Sequence, residues 1–447
     1  MTIKKPSVAG MFYPKDKEEL QQQIEYFKQI NKNTYEYKTR AVIVPHAGLI
    51  YSGRLAYEGI SQIDGNIKNI FIFGPSHHIA FKGIAITSFN TWETPLGQIA
   101  INKDIYKELQ NIFHANINDE AFAPEHSIEV ELPIIQSIFH DVKIIPILVG
   151  NEDPIKINEI INHYYKNKQN AFVISSDLSH FFTDEEAKKI DEKTAQLIES
   201  GDNCQINAEQ ACGHIGITGL MHFTNQNNFS LIRIDQTNSA EISNDLSSVV
   251  GYGTWFLFEG TKNDFLKQYY SNFIIDLCKN TLQSVFEKKD IKPTYPQIFN
   301  QLGACFVTLE ENQRLRGCIG SIIAYRPLFE DIIEHAKDAG FNDPRFNPIT
   351  KDELPYLECS ISLLSTPTKI FFKNEEDLLN KIVKDKDGII IKDKDKTGVY
   401  LPVVWEQFQN KQDFLNSLKV KAGFTEDYFS NTFEAYKFEA TSIKEEN

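Results

Sequence analysis

Cysteine is scarce in this chain, and its arrangement excludes two classes of site. The 447 residues include six cysteines, and no two of them have the CxxC spacing that structural zinc sites use. They do not suggest a disulfide framework either, because such frameworks belong to short, cysteine-dense chains. The CxxxCxxC pattern of radical iron–sulfur enzymes is also absent, so we expect any radical chemistry to come from a partner protein.

Long apolar runs and an excess of positive charge are missing as well. No segment approaches the ~18 consecutive apolar residues of a membrane helix, and the first residues lack the apolar core of a secretory signal. The formal net charge is −15, which argues against a nucleic-acid-binding protein because such proteins normally carry a basic face. We therefore expect a cytoplasmic protein that binds neither membrane nor nucleic acid.

Apolar strand-like runs alternate with helical stretches through the first half of the chain. Four of these runs are RAVIVP, NIFIFG, KIIPILVG and AFVISS. The alternation is typical of βαβ units with a parallel sheet, so we predict an α/β domain over residues 1–260. After it, a long helical stretch, alternating strands and a hairpin around KDKDK predict a smaller α+β domain over residues 261–447.

Three of the four runs end in a turn that contains histidine. The turns are PHAG with His46, GPSHH with His77 and His78, and SSDLSH with Asp177 and His180. Because ligands of parallel α/β sheets bind at the carboxyl ends of strands, we expect these turns to converge on one pocket. Imidazole is the usual ligand of functional metal ions, so the pocket is a candidate metal site. For any single histidine, a structural hydrogen-bonded role is the alternative.

The residues within these turns have different expected roles. Neighbouring residues that leave a strand point in different directions, so only one of His77 and His78 should face the pocket, while the other supports it through a hydrogen bond. If a helical turn begins at Asp177, this residue shares a face with His180 and is able to orient that imidazole as a general base. The alternative is an Asp177 that caps a helix beside a surface His180.

Two further stretches contain candidate residues. EHSIEVELP places His126 and Glu129 three residues apart at a predicted helix start, either as an acid–base or ligand pair or as a charged first turn that the helix dipole favours. ACGHIGITG is a glycine-rich turn into a helix and contains Cys212. This thiol is a candidate soft metal ligand or reactive thiolate, and the alternative is a small buried residue.

Taken together, the motifs of the first domain resemble those of one protein family. AGMFYP, VPHAGLIYSG, IFGPSHH, EHSIEVELP, VISSDLSH and ACGHIGITG are similar in order and approximate spacing to the motifs of the Memo family, over residues 4–258. That family resembles in fold the class III extradiol dioxygenases, non-haem Fe(II) enzymes that hold iron through two histidines and one carboxylate. The resemblance implies His46 and His77 as metal ligands, Cys212 in place of the carboxylate, and His180 as the acid–base group.

A cysteine ligand changes the metal chemistry that such a site would have. Thiolate is softer than carboxylate and favours copper, zinc or a differently tuned iron. We expect iron or copper as the cofactor and, as the function, metal-dependent oxidation–reduction of a small molecule by a dioxygenase-like domain. The resemblance also implies an alternative, a non-catalytic binding or scaffold protein, because eukaryotic members of the Memo family are described as signalling adaptors.

The second domain contains a compact group of charged and thiol side chains. LRGCIG includes Arg316 and Cys318, and FNDPRF includes Asp343 and Arg345. Nearby guanidinium groups lower the pKa of a thiol and favour the thiolate, whereas a buried cysteine in a glycine-tight turn is the alternative. The Asp–Arg loop is either a structured corner or a pocket rim. Cys318, like Cys212, is thus also a candidate nucleophile for thiol-dependent hydrolysis or transfer.

The motifs of the second domain also resemble a known family. LRGCIG, FNDPRF, ECSISLLS and GIIIKDKDKTGVYLP are similar to the Ammecr domain family, over residues 265–442. Members of that family are often encoded with Memo-like proteins and a radical S-adenosylmethionine enzyme, the AmmeMemoRadiSam system. The resemblance implies such an enzyme as a partner, beside a small-molecule substrate or a peptide. Joining two components in one chain gives each domain a high effective concentration of the other.

Overall fold

The computed structural model of the chain divides into two compact units, Met1–Lys262 and Asn263–Asn447. The residues that the structure describes are 2–32, 35–201, 206–289 and 295–445. Among the helices of these residues, none is both long and apolar enough to cross a membrane.

The first unit alternates strands and helices, as the sequence predicts. Its strands are β1 (Ile3–Lys4), β2 (Ala41–Val44), β3 (Asn69–Pro75), β4 (Ile84–Ile86), β5 (Thr91–Thr94), β6 (Gly97–Ile101), β7 (Asn116–Ile117), β8 (Lys143–Val149), β9 (Asn170–Ser175), β10 (His180–Phe182), β11 (Ser230–Asn238) and β12 (Val249–Phe258). Its helices are α1 (Lys17–Gln29), α2 (Leu49–Ile60), α3 (Lys103–Phe113), α4 (Asp119–Phe122), α5 (Leu132–Ile138), α6 (Pro154–Tyr164), α7 (Asp184–Ser200), α8 (His214–Asn227) and α9 (Ala240–Ser243), with a 3₁₀ turn at Glu129–Glu131.

The described strands of the first unit form one twelve-stranded sheet. Its main path runs β1-β5-β6-β8-β3-β9-β2-β12-β10, while β11 also pairs with β12, and β4 pairs with both β7 and β8. The strands β6, β8, β3, β9 and β2 are parallel to one another along this path, and β12 joins β2 in antiparallel orientation. The predicted α/β fold with a largely parallel sheet is therefore confirmed.

The strands at the centre of this sheet are buried along their whole length. All four residues of β2, AVIV, and all six of β9, NAFVIS, are buried. Such continuous burial is expected where helices cover both faces of a parallel sheet. Because β9 lies between β3 and β2 in parallel register, the three turns that follow these strands leave the same edge of the sheet side by side.

The second unit is built from antiparallel strands and a few helices. Its strands are β13 (Leu302–Glu311), β14 (Arg314–Gly320), β15 (Arg326–Pro327), β16 (Leu357–Leu364), β17 (Thr368–Ile370), β18 (Gly388–Asp393), β19 (Lys396–Tyr400), β20 (Glu434–Phe438) and β21 (Ala440–Lys444). Its helices are α10 (Lys262–Glu287), α11 (Leu328–Lys337), α12 (Glu375–Lys381) and α13 (Lys411–Lys421), with a π-helical turn at Asp338–Asn342 and 3₁₀ turns at Gln297–Asn300, Leu354–Tyr356 and Pro402–Gln407.

Two antiparallel sheets organise this smaller unit. One has the order β14-β13-β16-β21, with β15 also paired to β13, and the other has the order β17-β20-β18-β19. The predicted hairpin around KDKDK is confirmed as the antiparallel pair β18–β19. Behind this second sheet, Trp405 stacks on Phe414 in a core that also contains Leu418. The α+β character predicted for the second domain is confirmed as well.

Candidate metal centre

Three histidines meet at the carboxyl edge of the parallel sheet. His46 follows β2, His77 follows β3, and His126 lies just before the 3₁₀ turn that leads to α5. One potential ligand nitrogen from each of these residues lies within 4.8 Å of the other two. The imidazole ring centroids are 5.2 Å apart for His46 and His77 and 4.7 Å apart for His77 and His126. We call these three residues the histidine cluster.

The hydrogen bond at Nδ1 of His46 turns its other ring nitrogen, Nε2, toward the Cys212 thiol, where it is also able to bind a metal. The Ser175 hydroxyl donates to the Ser127 carbonyl at 2.5 Å, so the same oxygen accepts from His46 Nδ1–H, which lies 2.7 Å away. This assignment leaves a lone pair on Nε2. Burial, together with the charges that His77 and His126 carry when protonated, holds the pKa of His46 well below its usual range, so the ring is neutral.

A buried carboxylate fixes the orientation of His77. Glu125 Oε1 accepts from Nδ1–H of His77 at 2.9 Å, and Oε2 accepts from the His77 backbone N–H at 2.6 Å. Burial alone would raise the pKa of Glu125, but the hydrogen bonds and charge of His77 more than offset it and hold the pKa well below its usual range. An ionised Glu125 is an acceptor only, so His77 also keeps Nε2 free.

His126 completes the cluster from another loop. Its backbone N–H donates to Glu125 Oε1 at 3.0 Å, and its ring lies between the rings of His77 and Phe12, with centroid separations of 4.7 and 4.4 Å. Burial, followed by the charges of His77 and His78, lowers the pKa of His126 to about 4. The ring is therefore neutral at pH 7 and able to bind a metal.

Cys212 lies beside the cluster. Its Sγ is 3.4 Å from His46 Nε2, and it accepts from the Asp177 backbone N–H at 3.3 Å. The turn depends on Gly213, because a Cβ there would lie 2.6 Å from the Ser176 Cβ. Burial, and next the charge of Asp177, raise the pKa of Cys212 to about 12. Without a metal this residue is a thiol, which does not favour its predicted role as a nucleophile.

The helical turn that would place Asp177 and His180 on one face is not formed. Residues 176–179 form irregular backbone, and His180 begins β10. Among the described residues Asp177 and His180 share no hydrogen bond, because Asp177 Oδ1 instead accepts from the backbone N–H groups of His46, at 2.7 Å, and Ala47, at 3.2 Å. Asp177 thus holds the His46 turn in place, and burial raises its pKa to about 7.

The structure gives Glu129 a role away from His126. Its buried carboxylate accepts from Lys4 Nζ at 2.9 Å, from the Ser7 and Val8 backbone N–H groups, and from the Tyr13 hydroxyl at 2.9 Å. Glu129 therefore holds the N-terminal segment in place through these hydrogen bonds, and Phe12 of that segment packs on His126. His78 is exposed, and its ring centroid is 6.1 Å from that of His126.

A sequence model of the Memo-like proteins matches residues 4–256 of this chain. The chain belongs to the Memo family. A second model, AMMECR1, matches residues 275–443, so a Memo domain is followed by an AMMECR1 domain.

Two relatives and one solved structure are similar to this chain. A MEMO1 family protein of Thermoplasma volcanium is 30% identical over 265 residues, which cover 56% of this chain and 97% of the relative. Another, of Aquifex aeolicus, is 32% identical over 268 residues, which cover 56% of this chain and 98% of the relative. The crystal structure of an uncharacterised protein from Pyrococcus horikoshii is 30% identical, with a TM-score of 0.36, and the match covers 39% of this chain and 90% of that one.

In the AMMECR1 domain the predicted motif residues are hydrogen-bonded to one another and to neighbouring residues of the same domain. Asp343 Oδ2 accepts from the Cys318 backbone N–H at 2.9 Å and from Arg345 Nη2 at 2.7 Å. Arg316 pairs with Glu353 at 2.8 Å. The Cys318 thiol accepts from the Thr308 hydroxyl at 3.3 Å. These contacts agree with the structured-corner interpretation of FNDPRF.

Sequence reasoning missed three residues that shape the histidine cluster of the Memo domain. Glu125 and Ser175 each accept from the Nδ1–H of a histidine in the cluster, and Phe12 packs on the third histidine. Glu125 directly precedes His126, and Ser175 ends an apolar strand, so both lay next to residues that the sequence had marked. The interaction of Phe12 depends on the path of the N-terminal segment, which no local pattern specifies.

Proposed function

We propose that the Memo domain binds a redox-capable metal ion, iron or copper, at the histidine cluster and uses it in the oxidation–reduction of a small molecule. The observation that supports this proposal most strongly is the approach of three ligand nitrogens to within 4.8 Å of one another. Two of the three rings are held through Nδ1, which leaves Nε2 free. Hydrogen bonding of the second ring nitrogen is the usual arrangement for a metal-binding histidine.

The chemistry of the donor set fits such an ion. Imidazole binds iron, copper and zinc, and a thiolate adds a soft ligand. Cys212 lies 3.4 Å from His46 Nε2, so His46, His77, His126 and Cys212 are the residues that would hold the metal. When bound, the metal supplies the electron transfer of the reaction.

His180 is the proposed proton-transfer group. It is half-buried at the start of β10, and burial, followed by the charge of His77, lowers its pKa below the usual value. A neutral imidazole at pH 7 is able to accept a proton from a substrate and return it. The next residue, Phe181, is 78% exposed and offers an apolar surface to a small molecule at the same place.

Metal analysis tests this proposal directly. The full chain, purified without oxygen and without a His-tag, is measured by inductively coupled plasma mass spectrometry beside a His46→Ala/His77→Ala variant. We expect close to one iron or copper per wild-type chain and less than about a tenth of that in the variant, because two ligands are lost.

A matched control removes two histidines elsewhere. His140 is exposed, and neither it nor His222 belongs to the histidine cluster, so the His140→Ala/His222→Ala variant should retain the wild-type metal content. Wild-type protein that is empty and also refuses added Fe(II) and Cu(II) would contradict the proposal. Equal metal content in all three proteins would contradict the assignment of the ligands.

The second candidate function is binding without turnover, in which the chain docks a radical S-adenosylmethionine enzyme. The supporting observation is a set of exposed apolar side chains that neighbour, in the sequence, either the His46 turn or residues proposed to support the site. Met11 precedes Phe12, Ile50 follows the His46 turn, and Phe181 follows His180, with exposed fractions of 73%, 60% and 78%. Phe181 also has a φ of 65°, a conformation that costs free energy for an aromatic residue.

Co-purification separates the two candidate functions. If the chain is a scaffold, a complex with a radical S-adenosylmethionine enzyme encoded in the same genome should survive His46→Ala/His77→Ala and be weakened by Phe181→Ser. Size-exclusion chromatography of the mixed proteins measures the complex. Failure of the wild-type chain to form it would reject the scaffold function.

A further inference from the structure

A buried carboxyl group lies behind the histidine cluster without an evident structural role. Glu131 is 0% exposed and lies at the junction of the 3₁₀ turn and α5. In the part of the chain that the structure describes, its Oε2 has no hydrogen-bond partner. Carboxyl groups are almost never fully buried unless they are paired, so an isolated one calls for an explanation.

The protonation state of Glu131 follows from its surroundings. An ionised carboxylate that is buried without a cation carries a large desolvation penalty. Burial, and next the charge of Asp177, raise the pKa of Glu131 well above its usual range, while Ser175 offsets this only in part. Glu131 is therefore a neutral acid, and its O–H is able to donate a hydrogen bond.

Glu131 contacts the hydroxyl oxygen that binds His46. Glu131 Oε1 lies 3.5 Å from Ser175 Oγ. That oxygen donates its one hydrogen to the Ser127 carbonyl at 2.5 Å and accepts from His46 Nδ1–H at 2.7 Å. A hydroxyl oxygen has two lone pairs, so one remains for the Glu131 O–H.

We propose that Glu131 is a positioning residue for His46 that acts through the Ser175 hydroxyl. The Glu131 O–H occupies the second lone pair of Ser175, which keeps the Ser175 hydrogen on the Ser127 carbonyl and the His46 hydrogen on Nδ1. Nε2 of His46 then stays unprotonated and faces Cys212. The role in metal binding rests on the proposed function, whereas the effect on the His46 tautomer does not.

We call the hydrogen-bonded series Glu131, Ser175 and His46 the relay. It explains why a polar residue is present at position 131. If Glu131 only filled space, leucine would serve better, because it has no polar atom to desolvate. Without the Glu131 O–H, the Ser175 hydroxyl is oriented only by the Ser127 carbonyl and His46, and a rotation of its hydrogen toward His46 Nδ1 would let the ring change tautomer. Groups that support a metal-binding histidine typically change metal affinity by about 10- to 100-fold when they are removed.

The first experiment measures the His46 tautomer in the metal-free full chain. Nitrogen-15 labelling of histidine and long-range correlation spectra distinguish Nδ1–H from Nε2–H, and the His46→Ala variant assigns the signal. We expect the Nδ1–H form in wild type and Glu131→Gln, because the amide N–H₂ replaces the O–H donor. Glu131→Leu and Ser175→Ala should both show a mixture of tautomers.

The second experiment measures Co²⁺ affinity from its absorption bands, with the same variants. We expect Glu131→Leu and Ser175→Ala to bind about 10- to 100-fold more weakly, and Glu131→Gln to stay within about threefold of wild type because its amide still donates. The control is Glu58→Gln, which alters another fully buried acid of the same domain, paired with Arg54. It should leave both the His46 tautomer and Co²⁺ affinity unchanged.

The His46 tautomer and the Co²⁺ affinity test the role of Glu131 and the proposed metal site separately. If wild-type chain binds no Co²⁺, the proposed function fails, and the nitrogen-15 spectra still decide the relay. An unchanged His46 tautomer in folded Glu131→Leu would overturn the inference. So would a Glu131→Gln variant that is as defective as Glu131→Leu, since the hydrogen-bond donor would then not be the property that matters.

Discussion

The two domains use polar motif residues in opposite ways. In the Memo domain, His46 and His77 each bind a supporting group through Nδ1 and keep the other ring nitrogen free. In the AMMECR1 domain, the side chains of Asp343 and Arg345 bind each other and the backbone of Cys318. The predicted motif residues therefore bring together ring nitrogens that could hold a metal in the first domain, whereas in the second domain they bind one another and the backbone.

The difference shows what distinguishes a binding site from a structural network. A structural network satisfies its polar atoms internally, because unsatisfied buried groups cost stability. A metal site brings potential ligand atoms close together, as the histidine cluster does. The comparison predicts that substitutions in the AMMECR1 corner lower the free energy of unfolding, whereas substitutions at the cluster alter ligand binding.

We expect the largest change in the free energy of unfolding from Gly317→Ala in the AMMECR1 domain. A Cβ at this position would lie 2.0 Å from the Ala339 carbonyl oxygen in the π-helical turn, so the strand or the turn must move. We expect a loss of about 3 kcal/mol in the free energy of unfolding of this domain, as for other overpacked positions. Differential scanning calorimetry of the full chain measures it.

The matched control for this prediction is Gly65→Ala. A Cβ at Gly65 meets nothing within 4 Å, so the change should stay within about 0.5 kcal/mol, as for most surface substitutions. If Gly317→Ala unfolds like wild type, the LRGCIG strand is not held against the π-helical turn as the structure shows.

The sequence was sufficient to predict the α/β class of the Memo domain and the central strands of its parallel sheet. The apolar runs that became β2, β3 and β9 are buried on both faces, and such runs between helical stretches specify a parallel sheet. The hairpin β18–β19 was predictable for a different reason, since a polar KDKDK turn separates two strand-like runs. Local patterns of this kind predict a helix or strand because the spacing of its apolar residues reflects which of its faces are buried.

The site was less predictable because its geometry is set by contacts between distant segments. The placement of His46 and His77 followed from their positions at the carboxyl ends of predicted parallel strands. The orientation of Asp177 did not, because it depends on N–H groups of the His46 turn, 131 and 130 residues away. Spacing suggested either a pair of Glu129 with His126 or a charged first turn, whereas the partners of Glu129 lie in the N-terminal segment.

The second prediction concerns Asp343→Ala in the AMMECR1 corner. The substitution leaves the Cys318 N–H and the Arg345 guanidinium without the acceptor they have at 2.9 and 2.7 Å. Because Asp343 itself is 4% exposed, we expect a loss of about 2 kcal/mol in the free energy of unfolding. Chemical denaturation measures it, and Asp343→Asn, which keeps one acceptor oxygen, should lose about half as much. Metal content should be unchanged in both, and a loss of metal would show that the corner belongs to a site.

The smallest expected effect is on the pH dependence of metal affinity, and it distinguishes the two half-buried cysteines, Cys212 and Cys318. If Cys212 binds metal as a thiolate, each binding event must displace the proton of a thiol whose pKa is about 12. Metal affinity in wild type should then rise about tenfold for each pH unit between about pH 7.5 and 9. In that range His46 and His126 are already neutral, because burial lowers their pKa values, and Asp177, with a pKa of about 7, is mostly ionised. One thiol therefore accounts for the slope.

Cys212→Ser should abolish this pH dependence, and Cys318→Ser should retain it. Competition with a chromophoric chelator at several pH values measures the affinity of each protein for Co²⁺. Serine is similar in size to cysteine but does not lose its proton in this range, so the first variant separates the ligand's charge from its volume. A slope that survives Cys212→Ser would assign the displaced proton to another group, and the cluster would then be a three-histidine site beside a buried thiol. A slope lost in Cys318→Ser would mean that the AMMECR1 corner contributes to metal binding, and the contrast between the two domains would fail.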